Sequence, residues 1–271
     1  MAVLYLRHLA VAIGGCLYVA LFWLRPPASW PSWIGLPRRT LIDLTAELCG
    51  CNSTWAWVVL SMILGGVVPA IALLLLRRRW PPSLLCGGTS LGWKLAAIGY
   101  AIAFVLLLYL ASRQGFRDYY ARMMRGGLLG PALRFYLVII PEHICIQGLI
   151  LRLALGPVAT WPRIGELSAS TSWLRLRRTL GMGPGPGLGR IFGVDGNVLA
   201  ALAAQALVFG WVHLSKDVGE LLLSFPGGFA LGYLVLRARS VWPCVALHAI
   251  TGTTVIVLAI LLFGMPVGNG T

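Results

Sequence analysis

The sequence predicts an all-α protein, a polytopic membrane helix bundle of about seven transmembrane helices (six to eight), each needing roughly 20 apolar residues. Composition is the first reason: 58% of the 271 residues are hydrophobic and 11% are charged, where a soluble domain carries about a quarter. Apolar runs of bilayer length are the second, and short connections rich in Arg and Pro separate them. The third is where the net charge of +14 falls, since its Arg residues cluster in those connections. Such clusters set membrane orientation and meet anionic headgroups. The partner this implies is the lipid bilayer and not nucleic acid. Six cysteines, at 16, 49, 51, 86, 145 and 244, show no metal-finger spacing.

Residues 3 to 24 form a first apolar run behind Arg7. Ile13-Gly14-Gly15-Cys16 resembles a lipoprotein cleavage box, but apolar LYVALFWL follows the cysteine where a processed lipoprotein turns polar. The run is therefore read as a transmembrane helix. Residues 25 to 54 hold Pro26, Pro27, Pro31 and Pro37 with Trp30 and Trp33, which predicts a loop with interfacial anchors. A second span runs from Trp55 to Leu76 and stops at Arg77-Arg78-Arg79-Trp80-Pro81-Pro82; a third covers Leu91 to Ala111. The connection 112 to 130 carries Tyr119, Tyr120, Met123 and Met124, consistent with a short interfacial helix or a solvated loop.

The fourth span is Pro131 to Leu155, and a basic connection from Gly156 to Asn197 follows, with Arg163, Arg175, Arg177, Arg178 and Arg190. Its glycines from Gly183 to Gly189 are interrupted by prolines and follow no strand, so they match no phosphate-binding loop and predict a flexible cytoplasmic segment. The fifth span is Val198 to His213, the sixth Leu221 to Leu236 and the seventh Val241 to Phe263. A cytoplasmic amino terminus puts most basic segments inside, with Arg113, Arg117, Arg122 and Arg125 as the exception. The expected division is an amino-terminal set of helices over 1–130, a core over 131–263 and a short tail over 264–271.

Glu142 interrupts the middle of the fourth span. A charged group there costs several kcal/mol unless it faces the bundle interior, so it marks a functional site. The other Asp and Glu residues fall near or beyond the ends of the apolar runs, which leaves Glu142 as the one carboxylate expected inside the membrane. Of the four histidines, His143, His213 and His248 lie in or at the edge of a span. At about 1.5 Å per residue, Glu142 lies roughly 15 Å from the end near Arg152, His248 roughly 12 Å from Ser240 and His213 roughly 24 Å from Asn197. Tilt removes much of that difference, and the three side chains are expected to meet near mid-membrane.

PEHICIQGLILRLAL, AAQALVFGWVHLS and GYLVLRARSVWPCVALHAITG together resemble the three motifs of the CPBP intramembrane proteases, the CAAX prenyl endopeptidase and bacteriocin-processing family. The resemblance covers about the last half of the chain, from residue 131, and is carried by Glu142 with Gly148, Phe209 with His213, and Arg237 through Ser240-Val-Trp-Pro243 to His248. It implies an integral membrane endopeptidase of a bacterial inner membrane that acts on a membrane-associated peptide or protein. Glu142 would be the general base on a water, with His213 and His248 as metal ligands or oxyanion donors. The cofactor would be zinc, another divalent metal, or none.

Three positions depart from the family pattern: His143 stands for a Glu, Gln147 for an Arg and Gly252 for an Asn. His143 and Gln147 are four apart, so a hydrogen bond between them would replace the family's ion pair. Supporting roles are expected for His143, Gln147, Phe209 and Thr251, the last as a hydroxyl in place of the lost Asn. Asp217 is weighed as an orienting group for His213 against a solvated loop position, and Ser215 as a helix-end hydroxyl. The rival readings are a catalytically silent member of the fold that binds partners and a proton-coupled transporter, the latter opposed by the lack of an inverted repeat.

Overall fold

The computed structural model describes residues 2–22, 36–76, 82–124, 129–156, 196–214 and 216–265. Among these, every regular element is helical: α1 (Ala2–Phe22), α2 (Leu36–Cys49), α3 (Ser53–Ser61), α4 (Val68–Leu76), α5 (Ser90–Ser112), α6 (Gln114–Met123), α7 (Leu129–His143), α8 (Leu151–Leu155), α9 (Gly196–Val212), α10 (Val218–Ala238) and α11 (Trp242–Phe263). π-helical turns at Met62–Val67 and Ile144–Ile150 join α3 to α4 and α7 to α8 into continuous spans, and Pro82–Leu85 is a 3-10 turn. Five helices are long and apolar enough to cross a bilayer, and α1 and α9 carry shorter apolar stretches, so the protein is a membrane helix bundle.

Local chemistry sets the ends. Asn52 accepts from the backbone N–H groups of Thr54 and Trp55 ahead of α3, Thr89 from Gly92 ahead of α5, and Asp217 from Gly219 ahead of α10. Pro243 stands in the first turn of α11, where a missing N–H costs nothing. Gly156 closes α8 at a φ of 74°, a value that favours glycine.

One expectation needs correction. The segment 25 to 54 contains α2, because its prolines end at Pro37, a first-turn position, and LIDLTAELC beyond it has no breaker. α2 packs on α3 through Ile42, Ala56 and Leu60. The helix alternative for 112 to 130 holds: α6 is amphipathic, with Phe116 and Tyr120 buried. The Arg77 triplet, Arg125, the 157–195 part of the basic connection with its glycine-proline run, Ser215 and residues 266–271 lie outside the described residues.

The interior is built around α9. α10 runs along it, α1 covers another side, and α5 pairs with α11, so packing crosses residue 130 freely. Two of the four glycines of α10 permit the approach to α9: a Cβ on Gly228 would lie 2.8 Å from that of Phe209, and one on Gly232 would lie 2.3 Å from the Gln205 amide oxygen. A Cβ on Gly227 would meet nothing within 4 Å, because that residue lines a cavity. Gly228 is ten residues from the end of α10 at Ala238, about 15 Å, so Phe209 is held near half the height of the bundle.

Candidate active site

Glu142 lies where the backbone of its span is least regular. Pro141 withholds an N–H from the helix, and the π-helical turn starts two residues beyond Glu142. Such turns shift the angular register of the side chains around them. An unbroken α-helix would point His143 about 100° away from Glu142. Here both residues address His248: His143 Nε2 is 2.9 Å from His248 Nδ1, and Glu142 Oε1 is 3.9 Å from that same nitrogen.

Phe209 and His213, one turn apart at the end of α9, supply the next wall. His213 Nδ1 donates to the Phe209 carbonyl at 2.9 Å, which leaves Nε2 with a free lone pair. The Phe209 ring sits among three imidazoles, with centroids 4.8 Å from His213, 5.8 Å from His248 and 6.3 Å from His143. Glu142, His213 and His248 each offer a ligand atom within 4.8 Å of the others. Glu142 Oε1 is buried without a hydrogen-bond partner. Two imidazole nitrogens and one carboxylate, whose Oε1 is that orphaned acceptor, fit the donor set of a catalytic divalent metal.

The remaining expected residues behave less simply. Gln147 is fully buried and its amide interacts with His143, but without the geometry of a hydrogen bond: both amide atoms and His143 Nδ1 remain unsatisfied. The Thr251 hydroxyl donates to the His248 carbonyl of its own helix. Thr253 does likewise to Ala249 and also meets the Tyr136 hydroxyl. Asp217 does not orient His213, whose Nδ1 is taken by Phe209; it caps α10 and pairs with Arg113 at 3.1 Å. Gly252 faces Phe135, whose ring leaves no room for a larger residue.

His213, His248 and Thr251 open onto a cavity of about 820 Å³ between α5, α10 and α11. Apolar side chains of α5 such as Ile98, Ile102 and Leu106 form most of its far wall.

Glu220 also faces this cavity, from the first turn of α10, and so corrects the expectation of a single carboxylate inside the bundle. Its sequence position is a helix end, but the turn after α9 folds that end onto the cavity. Lys216 Nζ holds Glu220 at 2.6 Å and the Tyr120 hydroxyl donates to it at 3.1 Å. The Lys216–Glu220 spacing of four residues was the one available sequence signal. Nothing in the sequence connected the pair to Tyr120 on α6.

Comparison with known proteins gives one result: the profile of a family described as Rce1-like, type II CAAX prenyl endopeptidase, matches residues 7–254. No curated protein and no solved structure matches the chain.

Proposed function

The chain belongs to the Rce1-like family of type II CAAX prenyl endopeptidases, and from that premise we propose that it hydrolyses a peptide bond of a membrane-associated polypeptide inside the bilayer. The observation that carries this reading is the meeting of Glu142, His213 and His248, from three separate helices, within 4.8 Å beside a large apolar cavity. Each of these groups is costly in lipid, and a scaffold that only bound partners would gain nothing from gathering them.

In the mechanism, Glu142 takes a proton from water as the oxygen attacks the scissile carbonyl carbon. The carbonyl π electrons move to oxygen, where His248 and an imidazolium form of His213, whose Nε2 then carries a proton, would meet the developing charge. Glu142 then passes its proton to the departing amine as the C–N bond breaks, which returns the site to its starting state. His143, through its contact with His248, fixes that ring's orientation.

A second form of the same chemistry is favoured by the tight grouping of the three side chains. Glu142, His213 and His248 would hold zinc or another divalent metal, which when bound would polarise the water and the carbonyl. Glu220, facing the cavity, is then the carboxylate left to handle protons.

The cavity volume lies in the range of sites for small apolar ligands, and its lining suits the prenyl group in the family's name. In this reading the protein lies in a bacterial inner membrane with its amino terminus in the cytoplasm, as the distribution of Arg favours.

The test is terminal-peptide mass spectrometry of a membrane protein pool expressed with the wild type, Glu142→Gln or His248→Ala. Peptide ends present only with the wild type support hydrolysis and give the cleaved sequence; identical profiles from well-folded variants reject it. A chelator that abolishes cleavage, with recovery on adding zinc, selects the metal form.

A further inference from the structure

Three glycines line the cavity beside the site: Gly99 on α5, Gly227 on α10 and Gly252 on α11. At two of them the missing side chain makes room for a neighbour. A Cβ on Gly99 would lie 3.3 Å from Leu247 Cδ2, and one on Gly252 would run into the Phe135 ring. Gly227 makes room for no described residue, since a Cβ there would meet nothing within 4 Å. Nor does its backbone ask for glycine, because it lies inside α10 without a positive φ. Glycine in a helix interior lowers stability relative to alanine, so position 227 carries a cost that neither packing nor geometry explains.

What lies beyond it is open space. The cavity follows α10 from Glu220 to Leu234, about 21 Å at 1.5 Å per residue, and Gly227 falls halfway along. Its neighbour Gly228 packs on Phe209, whose carbonyl accepts from His213, so Gly227 lies at the height of the reacting groups. Ile98 and Ile102 of α5 and Pro226 and Ala230 of α10 line the cavity and are exposed as well, so it opens sideways between these two helices. An apolar slot open to lipid, with His213 and His248 in its wall, suits a hydrocarbon chain carried by the substrate and not a polar side chain.

We propose that Gly227 is a specificity-determining residue: its bare backbone leaves the width that the branched isoprenoid chain of a substrate occupies beside the reacting groups. A side chain at 227 would fill that width without disturbing a neighbour. The inference rests on the reading above, and on the prenyl group in it.

The experiment uses the full chain in lipid nanodiscs and two probes. The first is S-farnesylcysteine with a diazirine at the end of its chain, whose photolabelling site is read by mass spectrometry and needs no turnover. Wild type is labelled at buried residues of the cavity wall such as Leu107, Leu231 and Leu234, and excess S-farnesylcysteine suppresses the label. Gly227→Leu reduces this label about tenfold or more without lowering the melting temperature, and Gly227→Ala keeps most of it. The second probe is a peptide of the cleaved sequence, with its cysteine farnesylated or S-methylated. Gly227→Leu lowers kcat/KM for the farnesylated peptide about tenfold more than for the methylated one, through KM. If the leucine variant does not fold, Gly227→Val replaces it. Unchanged label or selectivity in a folded variant overturns the proposal, as does a wild type left unlabelled, its cavity held by bilayer lipid, or a cleaved sequence without cysteine. A wild type that cleaves nothing, but whose label is lost in Gly227→Leu, overturns the hydrolytic reading alone.

Discussion

The Phe135 ring occupies the space into which a side chain at position 252 would grow: a Cβ built on Gly252 falls 2.4 Å from Phe135 Cζ. The same ring stands edge-on to His248, centroids 6.3 Å apart. The glycine in the third motif is therefore matched by an aromatic residue on α7, and the two positions form one packing unit. Gly252→Asn should lower stability by about 1–3 kcal/mol through overpacking. Gly252→Asn/Phe135→Ala should recover part of that loss, and thermal unfolding of the two single variants and the double variant measures the coupling.

Glu142→Gln keeps the shape of the side chain and removes its ability to accept a proton. Cleavage should fall by about 100- to 10,000-fold. The melting temperature should not fall, because an amide needs no charge in this buried place. Kinetics and thermal unfolding of one preparation separate the two effects. A variant with full activity would remove Glu142 from the mechanism.

His143→Leu removes the hydrogen bond to His248 and leaves that ring with Glu142 as its polar neighbour on this side. A loss of about 10- to 100-fold in kcat is expected, the usual cost of losing the partner that orients a working imidazole. Steady-state kinetics at several substrate concentrations check that the loss lies in kcat.

Gly228→Val places its new carbon 2.8 Å from the Phe209 Cβ. Phe209 cannot yield without moving the backbone carbonyl that holds His213. The expected result is joint loss: about 1–3 kcal/mol of stability and most of the activity. Gly227→Val, next along the chain but against open cavity, should cost little stability. Melting temperatures of the two variants side by side test this contrast.

Much of the fold was legible because lipid allows the backbone few solutions. Runs such as Leu91 to Ala111 and Val241 to Phe263 are helices wherever they cross a bilayer, since every N–H and C=O must be paired within the segment. The α2 helix escaped notice because the prolines before it dominated the local pattern, although they end at a position that helices accept. Three of the motif residues, Glu142, His213 and His248, stood out because a polar group in an apolar run is rare and expensive.

The sequence by itself determined a membrane helix bundle, its succession of spans and the polar side chains that it carries at a cost in lipid. Tertiary structure decided how those side chains meet. Pro141 lies inside α7 and the π-helical turn begins at Ile144, and from this stretch both Glu142 and His143 reach His248, although adjacent residues of a helix point about 100° apart. The fold also turned Asp217 into a helix cap, set Phe135 where an Asn would need room, and brought Tyr120 onto Glu220 across 100 residues. The physical reason is one of range. Hydrophobicity and backbone pairing act within a segment, whereas contacts between side chains depend on register and depth that only packing against other helices sets.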